Sequence, residues 1–251
     1  MEVWSWIAAS VRGTSHERSG TRLQDAKRCF SSSSGDCLVA VVCDGAGSAS
    51  HGGEGAALCS RILSSRALEY LRKECITPDD ALIEEWIDDV RDSIARAATA
   101  RSLSTRDFAT TLVAAISCSE ETLTLHVGDG AIVAKTGPSD EWVALSWPEH
   151  GEYASTTFFV TDDEGARLRI SRTSIPIKEL VLFTDGLERL ALDFKENEPH
   201  GPFFSPFSLA VKSGDDGYLS DLSRDLKKFL NSDPVNERTD DDKSLIVAVR
   251  K

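Results

Sequence analysis

Asp44, Asp129, Asp185 and the triplet Asp240, Asp241 and Asp242 each stand at the end of an apolar or alternating run. Leu38 to Cys43 stops at Asp44 in a Gly- and Ser-rich stretch, and ELVLFTDG repeats the device at Asp185. TLTLHVGDG carries Asp129 between glycines, and the triplet precedes Leu245 to Val249. Runs of this kind read as strands. An aspartate at a strand end has one ordinary use, which is to open a turn. Its other use is chemical. A carboxylate buried without a cation or donors costs several kcal/mol, so a strand that delivers an acid to a glycine turn points to a metal or a catalytic role. Several such acids on one sheet edge would repel one another and need an offsetting positive charge. Oxygen-only ligands favour a hard cation, Mg2+ or Mn2+, over zinc.

The elements that must position these acids are legible in outline. Val3 to Val11 predicts a first strand, followed by a polar loop, Gly13 to Asp25, that holds His16, Arg18 and Arg22. Cys37 to Cys43 is the strand that delivers Asp44. Cys59, Leu63, Ala67 and Tyr70 then share one helical face, in a helix ending near Glu74. Thr77 as N-cap, Pro78 at N1, and Asp79 and Asp80 at the positive end predict the start of a second helix. Its apolar face is Ile83, Trp86, Val90, Ile94 and Ala97.

Close-set strands follow: Ala109 to Ser117, Thr122 to Val127, Ala131 to Lys135, Tyr153 to Val160, Leu168 to Ile170 and Leu180 to Thr184. The short connections Cys118 to Glu121 and Asp129 to Gly130 suit hairpins and leave no room for crossover helices, so the strands are expected to be antiparallel. Asp193 to Gly217 has no readable period. Tyr218 to Leu230 is helical in spacing, and Ser244 to Val249 is the last strand. The order predicts an α+β fold in which helices cover two packed antiparallel sheets.

With 251 residues, 41% hydrophobic and 27% charged, the chain buries a proper core, and no linker divides it. A net charge of −13 without a basic stretch argues against nucleic acid. No run reaches the length of a membrane span, and MEVWSWIAAS lacks the basic start of a signal peptide, so a soluble, cytoplasmic protein is expected. Cys29, Cys37, Cys43, Cys59, Cys75 and Cys118 form no CxxC pair and read as reduced core thiols.

Other chemistries find no support. There is no GxxxxGK, the glycines after Asp44 break the dinucleotide pattern at Ser50, and no GxSxG elbow occurs. No cysteine has an arginine at the spacing of a thiol phosphatase, and neither Asp44 nor Asp185 has a second Asp two residues on. The histidines form no HxxxH pair. His126 alternates with Thr122 and Thr124 and reads as structural. His16, His51 and His150 read as surface residues, with His51 the best candidate for an acid because it lies seven residues from Asp44.

In order along the chain, GTSHERSGTRLQDA, VCDGAGSASHGGEGA, DFATTLVAAI, LHVGDGAIV, GEYASTTFFVT, LFTDGLERL and DDKSLIVAV resemble the metal-dependent protein phosphatases of the type 2C class, in their compact bacterial form. The resemblance implies a single phosphatase-like domain over residues 1–251. It also implies two Mg2+ or Mn2+ ions between antiparallel sheets, and hydrolysis of phosphoserine or phosphothreonine by a metal-bridging water. Asp44 would bridge the metals, Gly45 would offer its carbonyl, and Asp185 and Asp241 would complete one shell. Asp129 matches an acid that supports a weaker third ion in some members, and Asp25 matches one that orients bound waters. Thr110 and Thr111 match a supporting strand start. The partners implied are a phosphorylated protein substrate and a cognate serine/threonine kinase.

Four positions depart from the family pattern. Gln24 replaces a metal-binding Glu. Ala46 replaces a histidine proposed as general acid, whose work would fall to His51, to a metal-bound water or to nothing. Gly20 replaces a phosphate-gripping arginine, leaving Arg18 or Arg22 as substitutes. Asp242 stands where many relatives have Asn; Asp241 is preferred as the ligand because Ser244 then falls at the usual Ser or Thr. These losses sustain a second reading, a weak or inactive phosphatase-like binding module in a signalling pathway.

Overall fold

Leu38–Cys43 is apolar at every position, and both of its faces are covered. Leu38, Ala40 and Val42 enter a layer shared with a second sheet, while Val39, Val41 and Cys43 enter a layer beneath two helices. The computed structural model describes residues 2–137, 140–149, 157–163 and 165–251. Its first half runs β1 (Trp4–Val11), α1 (Thr14–Ser19), β2 (Ala26–Ser31), β3 (Leu38–Cys43), α2 (Gly52–Leu71), α3 (Asp80–Thr99), β4 (Leu112–Ser117) and β5 (Thr122–Val127). The second half runs β6 (Ala131–Thr136), β7 (Trp142–Ser146), β8 (Arg169–Thr173), β9 (Ile177–Phe183), α4 (Glu188–Ala191), β10 (Leu192–Asp193), β11 (Glu198–Pro199), α5 (Gly201–Ser213), α6 (Ser220–Leu230), α7 (Asp233–Asn236) and β12 (Lys243–Arg250).

One sheet has the order β1-β12-β9-β6-β7 and the other β2-β3-β4-β5-β8, each antiparallel throughout. β10 and β11 make a separate two-stranded ribbon. Helices α2 and α3 lie on the β3 sheet through Ala56, Cys59, Leu63, Ile83, Trp86 and Val90. Helices α5 and α6 lie on the β1 sheet through Phe204, Val211, Leu226 and Leu230. Between the sheets, Trp4 and Trp6 pack with Leu182, Ile132 and Ile246, and Ala8, Ala40, Ala115, Ala134 and Ala248 leave room for them. This is the α+β sandwich that the order of elements predicts.

Several local expectations are corrected. The loop from Gly13 contains the short helix α1. Asp129–Gly130 is not a hairpin: β5 and β6 belong to different sheets, so residues 128–130 carry the chain from one layer to the other. The second helix is capped by Asp79, which accepts from Leu82 N at 2.9 Å, because the Thr77 hydroxyl is spent on Glu121. Its buried face ends at Ala98 rather than Ala97. Most of the strand expected over Tyr153 to Val160 lies outside the described residues, and 157–160 are not strand. All six cysteines are free, but Cys75 is exposed and Cys29 half-buried.

β2 and β7 are edge strands with mixed exposure, which explains why they escape a period-two reading. The stretch without a readable period contains α5, where Pro206 removes a helical amide.

Leu182 is fully buried and paired with both Ile246 and Ile132 at the centre of the inner layer. Leu182→Ala is therefore expected to lower stability by about 2–5 kcal/mol in urea unfolding. A loss well below that range would show that the two sheets are not packed there as described.

Candidate active site

β3 ends at Asp44, and two threonines fix the backbone of that residue. Asp44 N donates to Thr111 Oγ1 at 3.0 Å, while Thr110 Oγ1 and Thr111 N donate to the Asp44 carbonyl at 3.0 and 2.8 Å. Thr110 and Thr111 are thus supports, as expected. The next residue must be glycine, because a methyl group at Gly45 would overlap the backbone of Gly52 at the start of α2.

Asp185 follows β9, and β12 begins beside it. Thr184 Oγ1 accepts from Ser244 N at 3.0 Å and donates to Asp25 Oδ2 at 2.8 Å, so one hydroxyl ties two neighbouring strands to the acid of the loop. Gly186 lies against Asp242, whose carbonyl oxygen a side chain there would overlap. The Asp242 carboxylate accepts from Gly13 N and Gln24 N, both at 2.6 Å. His16 Nδ1 stands 2.9 Å from the same carboxylate without the alignment of a hydrogen bond. Asp242 therefore holds both ends of the loop from Gly13 to Asp25. Asp241 is exposed and accepts from Asp242 N at 2.8 Å.

The acids stand in one another's field. Burial raises Asp44 well above the usual carboxylate range, and the charges of Asp185, Asp25 and Asp241 push it the same way. Asp185 is raised by burial and then by Asp129, Asp241, Asp25 and Glu188. Burial pushes Asp25 up to about 7, against hydrogen bonds with Asp44, Ser244 and Thr184 that pull it down. Asp241 is raised too, first by burial. The structure thus brings together Asp25, Asp44, Asp129, Asp185 and Asp241. Asp129 is buried and accepts from Thr157 Oγ1 at 2.5 Å.

The basic candidates are placed less directly. Arg18 pairs with Asp240 at 2.7 Å, beside Asp241, and Arg22 is exposed. His51 Nδ1 lies 2.9 Å from Ser50 Oγ and its ring 5.1 Å from that of Phe108, so its described contacts are outside the acid cluster. His16 is not the surface residue expected, since only 15% of its side chain is exposed. His150 lies outside the described residues. His126 is structural, as expected: buried, 2.7 Å from Ser146 Oγ, and pushed down to about 3 by burial and the charge of Arg169.

Among the described residues no group of three or more His, Cys, Asp or Glu side chains is drawn in to ligating distance. The donor set itself suits a hard cation. It is all oxygen, its carboxyls are raised by burial so that a cation would favour their charged form, and two neighbouring oxygens, Asp25 Oδ1 and Gln24 Oε1, are buried without a hydrogen-bond partner. A family model described as protein phosphatase 2C matches residues 12–231. The chain belongs to the protein phosphatase 2C family.

Members of the protein phosphatase 2C family are metal-dependent protein phosphatases, and that is the activity of this chain. A serine/threonine-protein phosphatase 3 of Escherichia coli (strain K12) is 36% identical over 254 residues, 98% of either chain. A bacterial serine phosphatase crystal structure has a TM-score of 0.68 at 16% identity, covering 98% of this chain and 97% of that one. The serine/threonine phosphatase Stp1 from Staphylococcus aureus has a TM-score of 0.65 at 17% identity, covering 98% and 94%. These two structures show the shared protein phosphatase 2C fold.

Sequence reasoning passed over three residues around the site of this protein phosphatase 2C. Glu188 adds to the field on Asp185, and Arg189 and Arg238 line the same hollow as Asp185 and Asp241. The signal for the first two was their place in the turn directly after Asp185–Gly186; Arg238, far along the chain, had none.

A carboxyl that keeps its proton in the fold stabilises at low pH and loses that contribution as the pH rises from its unfolded value through its folded one. For chelator-treated protein the Asp25 share is expected to disappear between about pH 4 and about pH 7. Melting temperature should fall across that window, and Asp25→Asn should flatten the fall. An identical slope in the variant would show that Asp25 is not held protonated.

Proposed function

We propose that the chain hydrolyses phosphoserine and phosphothreonine in proteins, with Asp44, Asp185 and Asp241 holding two Mg2+ or Mn2+ ions. The observation that carries this is the convergence of Asp44, Asp185 and Asp25 from different strand ends: burial raises all three, the charges of Asp185 and Asp25 add to it at Asp44, and that of Asp25 adds to it at Asp185. Such a set is costly alone and is stabilised by cations. The Gly45 carbonyl would join the ligands, Asp25 would orient the bound water, and Asp129 would serve a weaker third ion. When bound, the cations supply an activated water and neutralise the phosphoryl oxygens.

The chain's own residues divide the remaining work. Asp242 fixes the loop so that Asp25 reaches the site, and Thr110 and Thr111 fix Asp44. Arg18 is 67% exposed, so its ion pair with Asp240 is weak enough to be exchanged for a substrate phosphate. Residues 1–251 act as one domain in this reading, supported by the pairing of β1 with β12 along their whole length. The substrate class follows the name of the Escherichia coli relative. A serine/threonine kinase would supply the phosphoprotein. No described helix is long and apolar enough to cross a membrane, and the six free cysteines fit the cytoplasm we propose.

Hydrolysis of a phosphothreonine peptide should require Mn2+ or Mg2+, cease with chelator, and fall by about a hundredfold or more in Asp44→Asn and Asp185→Asn. A folded chain with no metal-dependent turnover would refute the reading. At the second ion, Gln24→Glu adds a charged oxygen where a neutral one stands, and calorimetry should show Mn2+ binding about tenfold tighter. Unchanged heats would place Gln24 outside the metal's reach.

A further inference from the structure

Asp185 and Asp241 face a hollow of about 460 Å3 whose rim includes Arg189 and Arg238. A second hollow, of about 540 Å3, has the same two arginines in its wall and continues away from the acids. Its lining is mixed: Leu190, Phe194, Phe203, Phe229 and Val235 give it an apolar side, and Asp193 and His200 stand in the same wall. Phe194 is 46% and Phe229 40% exposed, an unusual exposure for large aromatic side chains. Phe203 and Phe229 stand with ring centres 6.4 Å apart, so the surface is a packed cluster and not a single stray side chain.

The arginines are the second observation. Both are exposed, and among the described residues neither side chain has an ion-pair or hydrogen-bond partner. The chain has 41 acidic residues against 28 basic ones; Arg18, Arg66, Arg101, Arg172 and Arg224 are paired with carboxylates, whereas Arg189 and Arg238 are unpaired beside the acid site itself. Glu188, Glu237 and Asp240 line the same hollow as Asp185, yet none is paired with either arginine, so two guanidinium groups at the junction of the acidic site and the second hollow keep bidentate contacts free for a visiting anion.

We infer that Arg189, Arg238 and the aromatic side of the hollow beyond them form the surface that selects the substrate, a deduction that rests on the phosphatase reading. With the phosphorylated residue over Asp185 and Asp241, a neighbouring anionic group of the same polypeptide meets the two guanidinium groups. That anion is a carboxylate or a second phosphoryl group. A large apolar side chain of the substrate enters between Phe194, Phe203 and Phe229. The preferred substrate is an acidic phosphopeptide with an aromatic or large aliphatic residue beside the phosphorylation site. The electrostatic requirement is plain in a chain of net charge −13, which otherwise repels acidic polypeptides.

The test uses four labelled phosphothreonine peptides whose flanking positions carry Glu and Phe, phosphoserine and Phe, Lys and Phe, or Glu and Ala. Binding is read by fluorescence anisotropy on the Asp44→Asn chain, and turnover with Mn2+ on the unsubstituted chain. The first two peptides should bind about tenfold more tightly than the last two. The phosphoserine arm against the Glu arm tells which anion is preferred. Replacing Arg189 and Arg238 by Ala, or Arg238 by Glu, should erase the preference for Glu over Lys and leave that for Phe over Ala.

Equal binding of the Glu and Lys peptides, or a preference that survives both arginine variants, would overturn the inference; so would an equal loss for all four peptides, which would assign the arginines to the reacting phosphate. Arginine-dependent selection without any turnover would overturn the phosphatase reading and leave the surface standing. Turnover without selection would do the reverse.

Discussion

Asp25 is buried and Asp44 and Asp185 are half-buried close beside it, and carboxylates gathered that way oppose folding when charged. Everything near them works to keep them there. Thr110 and Thr111 hold the Asp44 backbone from β4, and the Thr184 hydroxyl binds Asp25 while also receiving Ser244 N. The contacts are 2.8–3.0 Å long and join segments far apart in sequence at the ends of largely buried strands. Apolar packing of the two sheets and their helices is what offsets the electrostatic cost, since burying each Val, Leu or Ile contributes about 1.5–3 kcal/mol.

The geometry that gathers the acids follows from the sandwich. β9 and β12 are neighbours in one sheet, so Asp185 and Asp241 come together because one strand ends where the next begins. Asp44 arrives from the other sheet, at the end of β3. The crossing at residues 128–130 brings Asp129 to the same edge as the chain passes between layers. Acids from both sheets can therefore share one site only at the edge where strand ends from both layers meet. A hairpin at Asp129 would have kept that acid within a single sheet.

Much of this was legible in the sequence where periodicity and chemistry coincide. The strand-end aspartates, the buried runs of β3, β9 and β12 and the faces of α2 and α3 follow from alternation or helical spacing, and the layered fold follows from their order. Edge strands are different. β2 has one side without a neighbour, so all six of its residues are half-buried and no alternation marks it. Helix α5 is masked by Pro206, which local propensity reads as a break while packing of Phe204 and Val211 on the β1 sheet holds the helix together. Arg189 and Arg238 are far apart in sequence and meet only through the placement of α4 and the segment after α7, which no linear pattern reports.

Asp241 and Asp242 show how position divides identical side chains. Both directly precede β12. The Asp242 carboxylate turns inward, where it is 1% exposed and takes two backbone amides from the loop. Those amides would otherwise be left with no strand or helix to bond, so the aspartate both satisfies them and closes the loop over Asp25. Asp241 is exposed and lines the hollow with Asp185, and one of its oxygens accepts from Asp242 N. An asparagine at 242 could accept one such amide with its single carbonyl oxygen but not two with equal strength, whereas a carboxylate has an oxygen for each. His16 Nδ1 stands 2.9 Å from the Asp242 carboxylate. The departure from the family's asparagine thus serves the backbone: the aspartate gains a second acceptor, and its two oxygens hold the loop at Gly13 and at Gln24.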